Sequence, residues 1–266
     1  MSQMQGPVFP PPVAGMVSPD GYYLWDGARW VPRWQPPAPV VPFFRSGSTL
    51  ALWARIGIAL NMLALLLMIV ADAGRVNITS RIISGEGVNL VDAQASDDFV
   101  RLSSVLELGT LLLAAVAFSL WIHRATSNGP ALGGAQLRFT PGWAVGWFYV
   151  PIANLFRPFQ VVSEVWRTSD PRVGMTTAEQ RAAMKVSPLV TAWWTLFVLA
   201  ALISRYVFFS IRSDTADSLH GAAIADIVGS VALIVAGILA VALVGAIDTR
   251  QTQKHLATLA PAPAPA

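Results

Sequence analysis

The stretch Phe139–Pro171, FTPGWAVGWFYVPIANLFRPFQVVSEVWRTSDP, decides how this chain is arranged in a membrane. It is long and apolar enough to read as a span, yet Pro151, Arg157 and Pro158 interrupt it. Proline lacks an amide donor and clashes with the preceding turn, so no regular helix runs through both. An arginine near the bilayer centre costs at least ~2.5–3.5 kcal/mol. The stretch therefore reads as two pieces at one membrane face, not as a crossing. Trp143, Trp147 and Tyr149 form a short aromatic insert suited to headgroup level. A helix restarts near Pro158, with Phe159, Val162, Val165 and Trp166 on one face and Gln160, Glu164 and Arg167 on the other. That pattern is an interfacial amphipathic helix. Ser169-Asp170-Pro171 stops it. Pro151-Ile-Ala-Asn154 joins the pieces, and Asn154 is expected to bond backbone that no helix satisfies. Three roles stay open for the segment: a structural collar, a re-entrant element lining a small-molecule path, and a docking surface.

On either side lie longer, cleaner apolar runs. The chain is 54% hydrophobic and 12% charged, against about 25% charged residues in soluble domains. Four spans are expected, near 50–71, 102–122, 189–211 and 222–246. Each is roughly 20 residues or more, enough to cross ~30 Å of hydrocarbon as a helix. The fold class is an all-α membrane protein with four transmembrane helices and an interfacial or re-entrant segment over 141–169. The basic residues set its orientation. Residues 1–49, 123–188 and 248–266 hold twelve Arg and Lys, and the two remaining loops hold four. A fifth crossing would invert the last two spans against that count. The reading is a multi-pass protein of a bacterial plasma membrane with both termini cytoplasmic and loop 72–101 outside.

Residues 1–49 form a proline-rich arm. Pro10–Pro12 and Pro36–Pro42 cannot build a helix or a central strand. Between them Tyr23, Trp25, Asp26, Gly27 and Trp30 suggest a hairpin, with strands at 22–25 and 28–31 around a two-residue Asp-Gly turn. The arm is a candidate site for a protein partner. Residues 248–266 are read as a disordered Ala/Pro tail.

Ionisable groups inside apolar spans need partners. Glu107, Arg205 and Asp226 all lie roughly 6–9 Å below the outer surface at 1.5 Å per residue. They are expected to meet as an ion cluster with Arg205 between the carboxylates and with Tyr206 and His220 nearby. Packing clamp, interface snorkelling and a proton or substrate site are the alternatives. Asn61 is expected to make a helix–helix hydrogen bond. Ala222, Ala225, Gly229, Ala232, Ala236 and Ala240 form a small-residue stripe that permits close helix contact, within the chain or in a homo-oligomer.

Cysteine is absent, which excludes disulfides and thiolate chemistry. The three histidines show no metal-ligand spacing. No phosphate-binding glycine loop, HExxH or GxSxG occurs, and the arginines form no compact stripe for nucleic acid. The expectation is a non-enzymatic protein with no cofactor and no metal. Sixteen of the eighteen basic residues are arginine, a bias in line with a GC-rich bacterial genome.

Trp121-Ile-His-Arg124, Asn128, Pro141-Gly-Trp-Ala-Val-Gly-Trp147, Val150-Pro-Ile-Ala-Asn-Leu155, Pro158 and Glu164-Val-Trp166 resemble the central motif of the bacterial membrane family called domain of unknown function 4328. The resemblance covers about 50–247, and implies about four spans and an actinobacterial source. It brings no activity and no site residues. Trp25-Asp-Gly-Ala-Arg-Trp30 is similar to the hairpin of the module called domain of unknown function 2510, without that module's usual lead-in. Two functions follow as expectations: a scaffold or accessory protein whose arm recruits a partner, and a small transporter or channel subunit using the charged cluster.

Overall fold

The computed structural model describes residues 13–33, 43–134, 136–210 and 215–259, with the backbone alone at 206–210. The chain separates into two units, 1–42 and 43–266.

In the first unit, β1 (Tyr23–Trp25) pairs antiparallel with β2 (Trp30–Pro32), and Trp25 lies opposite Trp30. The turn therefore spans four residues, Asp26 to Arg29, not the expected two. The cause is the Asp26 side chain. Its Oδ1 accepts from the backbone N–H of Ala28 and of Arg29, each at 2.8 Å. This Asx-type closure uses a wider loop than a bare Asp-Gly turn. Gly27 takes φ +104° within it, a conformation that suits glycine. Trp25 and Trp30 meet edge to face at 5.4 Å, and Val17 adds one further bridge to Leu24. The proline tracts within 1–12 and 36–42 lie outside the described residues.

The second unit contains α1 (Ser48–Ile83), α2 (Leu90–Ser127), α3 (Pro141–Gly146), α4 (Arg157–Thr168), α5 (Ala178–Ala183), α6 (Pro188–Ser210) and α7 (Ala216–Leu259). Of these α1, α2, α6 and α7 are long and apolar enough to cross a membrane. α1 packs against both α2 and α7, and α7 packs against α6. The lateral order is thus α2–α1–α7–α6.

Two boundaries differ from expectation. Residues 72–101, read as a loop, are largely helical. α1 runs on to Ile83 and α2 begins at Leu90, leaving only 84–89 between them. Arg75 pairs with Asp97 at 3.1 Å across these extensions, and the Asn89 side chain caps α2 through the Val91 N–H. This ion pair adjoins a small apolar cluster in which Phe99 and Val100 of α2 pack with Met68 and Ala71 of α1. Residues 248–259, read as disordered tail, continue α7. Ile247, Gln251 and Lys254 recur at helical spacing on a buried face. Residues 260–266 lie outside the described residues.

Close helix approach is built on small residues. A Cβ on Gly237 would lie 2.8 Å from the Met62 sulfur, and one on Gly57 would lie 3.0 Å from the Ala114 Cα. Gly229 faces Ile203. Ala222, Gly229, Ala236 and Ala240 are buried by the chain itself. The stripe on α7 thus serves packing within the chain. Asn61 Nδ2 donates to Thr110 Oγ1 on α2 at 3.2 Å, the interhelical bond expected of it.

The principal core lies at the end of the bundle that carries α3 and α4. It joins Trp121 and Ile122 of α2, Val161, Val162 and Val165 of α4, Val190, Trp193 and Trp194 of α6, and Leu243, Val244 and Ile247 of α7.

Candidate functional site

The segment 141–168 forms a collar between α2 and α6, the two ends of the helix row. Thr140 caps α3 through the Trp143 N–H, with Pro141 in the first turn. Trp143 stacks on Trp147 at 4.7 Å, and the Arg157 guanidinium lies over the Trp147 ring at 5.1 Å. Arg157 also donates to Gln160 Oε1 at 3.2 Å. Buried Pro158 opens α4.

Between α3 and α4 the chain packs beside the apolar stretches of its neighbours. Tyr149 Oη is 2.8 Å from Ser119 Oγ, and Ser119 lies eight residues from the end of α2, or ~12 Å along its axis. Leu155 O accepts the Trp194 indole N–H at 3.1 Å. Trp194 lies six residues into α6, or ~9 Å. Asn154 was expected to bond this backbone. Its amide side chain makes no hydrogen bond among the described residues, and Trp194 fills the role. The loop otherwise satisfies itself, with Asn154 N–H to Val150 O at 2.9 Å and Leu155 N–H to Ile152 O at 3.1 Å. Ile152 has φ +67°. A β-branched residue there is strained and needs the surrounding structure to hold it.

The polar face of α4 is bound to the loops around it. Glu164 Oε1 accepts the Arg138 N–H at 2.9 Å and lies 3.9 Å from Arg181 Nη2. Trp166 lies under the Arg250 guanidinium at 4.2 Å. Behind α4 is a buried polar network that sequence reasoning missed. Asn128 Nδ2 donates to Gln251 Oε1 at 3.1 Å and to Arg45 O at 2.9 Å, while Asn128 Oδ1 accepts the Arg45 N–H. Gln251 Nε2 donates to Ala125 O at 2.9 Å and to Ser169 Oγ at 3.2 Å. Lys254 Nζ donates to Thr168 O at 2.9 Å. Asp170 pairs with Arg172 at 2.8 Å and with Arg250 at 3.0 Å. The hydrogen bonds from Arg172 and the charge of Arg250 hold its carboxyl well below the usual range. The available signal was the i, i+4, i+7 spacing of Ile247, Gln251 and Lys254.

At the opposite end of the helices the acids gather. Asp226 on α7 acts electrostatically on Glu107 of α2, so two of the three expected cluster members share one environment. Arg205 is exposed on α6, and Arg75 acts electrostatically on Asp72. The Tyr206 side chain lies outside the described residues. His220 Nδ1 is 3.0 Å from Thr79 Oγ1 on α1. Asp72 is the member that sequence reasoning missed. It is 2% exposed, feels the charge of Asp226, and its Oδ2 has no hydrogen-bond partner among the described residues. Among the described residues no three His, Cys, Asp or Glu side chains converge as a metal site.

Four helices long and apolar enough to cross a membrane make this a multi-pass membrane protein. The chain belongs to the family described as Domain of unknown function (DUF4328), whose model matches residues 85–249. The match includes the collar, Glu107 and Asp226, and begins after α1, so Asp72 and the hairpin lie outside it. No curated protein and no solved structure matches the chain.

Proposed function

We propose that this protein is a non-enzymatic scaffold or accessory protein of a bacterial plasma membrane, whose cytoplasmic arm recruits a protein partner. The observation that carries the reading is the aromatic surface of the hairpin. Tyr22, Tyr23 and Trp30 are 73%, 43% and 39% exposed on a backbone already paired. Rigid aromatic side chains supply contact area at low ordering cost, and such residues dominate protein interfaces. The excess of basic residues in residues 1–49, 123–188 and 248–266 supports a cytoplasmic position for both termini.

The absence of native cysteine makes the test direct. A single Tyr23→Cys variant should react with an impermeant maleimide only in permeabilised cells. A photo-crosslinking residue at position 22 should give one discrete protein adduct in cells, and Tyr23→Ala should abolish it. Labelling of intact cells, or adducts with lipid and with the chain itself alone, would overturn the proposal.

A second reading, a small transporter or channel subunit, is favoured by the carboxylates Asp72, Glu107 and Asp226 carried on the apolar helices α1, α2 and α7. Carboxylates in apolar spans are costly to keep and commonly mark ion or proton paths.

A further inference from the structure

We propose that the junction of the collar loop with α4 is a binding site for one anionic phospholipid, its phosphate on Arg157 and its acyl chains along the loop. Arg157 opens α4, and its guanidinium lies over the Trp147 ring at 5.1 Å and the Phe156 ring at 5.8 Å. Stacking of this kind places a guanidinium without neutralising it. Its one hydrogen bond, from Nη1 to Gln160 Oε1 at 3.2 Å, uses one of five N–H donors. No carboxylate pairs with it among the described residues. The donors around it also lack acceptors. Gln160 gives its oxygen to Arg157, and its amide nitrogen bonds nothing among the described residues. Asn154, three residues before Arg157, makes no side-chain hydrogen bond there, while Trp194 serves the carbonyl of the neighbouring Leu155. The Trp147 indole N–H is buried without an acceptor. All four side chains offer N–H groups, and a buried donor left unmatched is costly. What the group lacks is a negatively charged acceptor with several oxygens, which describes a phosphodiester.

The loop itself selects a lipid over a dissolved anion. Tyr149, Ile152, Leu155 and Phe156 are all exposed, Ile152 to 76% and at φ +67°. Tyr149 and Leu155 bond Ser119 and Trp194, ~12 Å and ~9 Å inside the ends of α2 and α6. Exposed apolar side chains at that depth meet acyl chains. Arg157 follows Leu155 by two residues, at most ~7 Å along the chain. An arginine there keeps its stem among apolar groups and sends its charge toward the phosphates. A dissolved anion would meet Arg157 and leave the loop untouched, whereas a phospholipid answers both. A choline headgroup would bring a second cation beside Arg157, so the anionic lipid is preferred.

The full chain in detergent micelles, titrated with phosphatidylglycerol or phosphatidylcholine and weighed by native mass spectrometry, tests the site. One phosphatidylglycerol should bind about fivefold tighter than phosphatidylcholine, the usual worth of one interfacial arginine. Arg157→Gln should erase that preference. Asn154→Ala, which gives up no hydrogen bond within the protein, should weaken binding about twofold or more, and it decides the matter if Arg157→Gln melts early. Arg138→Gln, at an exposed arginine stacked on Phe139, should change nothing. A phosphatidylglycerol with a diazirine in its acyl chain should label 149–156. Equal binding of the two lipids, wild-type binding by both Arg157→Gln and Asn154→Ala, labelling confined to α1, or displacement by inorganic phosphate would overturn the lipid site.

Discussion

Replacing Arg181 with alanine is expected to destabilise the membrane unit by about 3–5 kcal/mol, the usual penalty for removing one partner of a buried ion pair. Arg181 is 2% exposed. Its Nη1 donates to Thr176 O at 2.6 Å and its Nη2 to Gln136 O at 2.8 Å, with Glu164 at 3.9 Å. The substitution leaves two carbonyls without that donor and a partly buried carboxylate without its cation. It also loosens α4, because Glu164 holds the Arg138 backbone. Arg181→Lys keeps the charge but loses the forked geometry, so it should fall between wild type and alanine. The Arg101–Asp98 pair is the control. It is closer, at 3.0 Å, but largely exposed, and Arg101→Ala should cost at most ~1 kcal/mol. Thermal unfolding in detergent, followed by tryptophan fluorescence, measures all three. Equal melting of Arg181→Ala and Arg101→Ala would contradict the buried-pair argument.

Gln251→Leu carries the second large effect. Leucine keeps the bulk of the side chain and removes every hydrogen bond it makes. Ala125 O lies in the last turn of α2, where carbonyls lack intrahelical donors, and its bond comes from Gln251. Asn128 Nδ2 loses one of its two acceptors. Each group stranded in the interior costs about 1–3 kcal/mol. The loss should also reach the entry to α1, since Asn128 grips both the N–H and the carbonyl of Arg45. A reporter cysteine in place of Ser46 should therefore react faster with a maleimide in the Gln251→Leu background. Unchanged melting and unchanged reactivity together would show that the network does not tie these segments.

The four spans were legible because hydrocarbon demands long apolar runs, and nothing else in this chain produces them. The collar was legible for the complementary reason: proline and arginine forbid a helix that crosses. The helix ends were harder. Beyond the apolar runs, 72–83 and 90–101 are joined by the Arg75–Asp97 pair, which leaves no periodic apolar mark. The hairpin was visible, but its loop length depended on where the Asp26 carboxylate bonds. The Asn128–Gln251 contact joins residues 123 positions apart, and no local pattern announces such a pairing. Asp72 sits at the edge of an apolar run and reads as a loop acid. Only the packing of α1 against its neighbours buries it.

The collar also makes the bundle unequal along its length. One end is fastened by stacked indoles, the Arg181 pair and the Gln251 network. The other relies on single bonds such as Thr79–His220 and on partly exposed ion pairs. Local opening draws on the least-fastened contacts first. The chain should therefore breathe like a clamp hinged at the collar, with its free jaws at the Asp72 end. Amides of 72–83 and 216–226 should exchange hydrogen well before those of 121–128 and 243–251, and the reverse order would refute the hinge. Such breathing would wet the buried carboxyl without unfolding the protein.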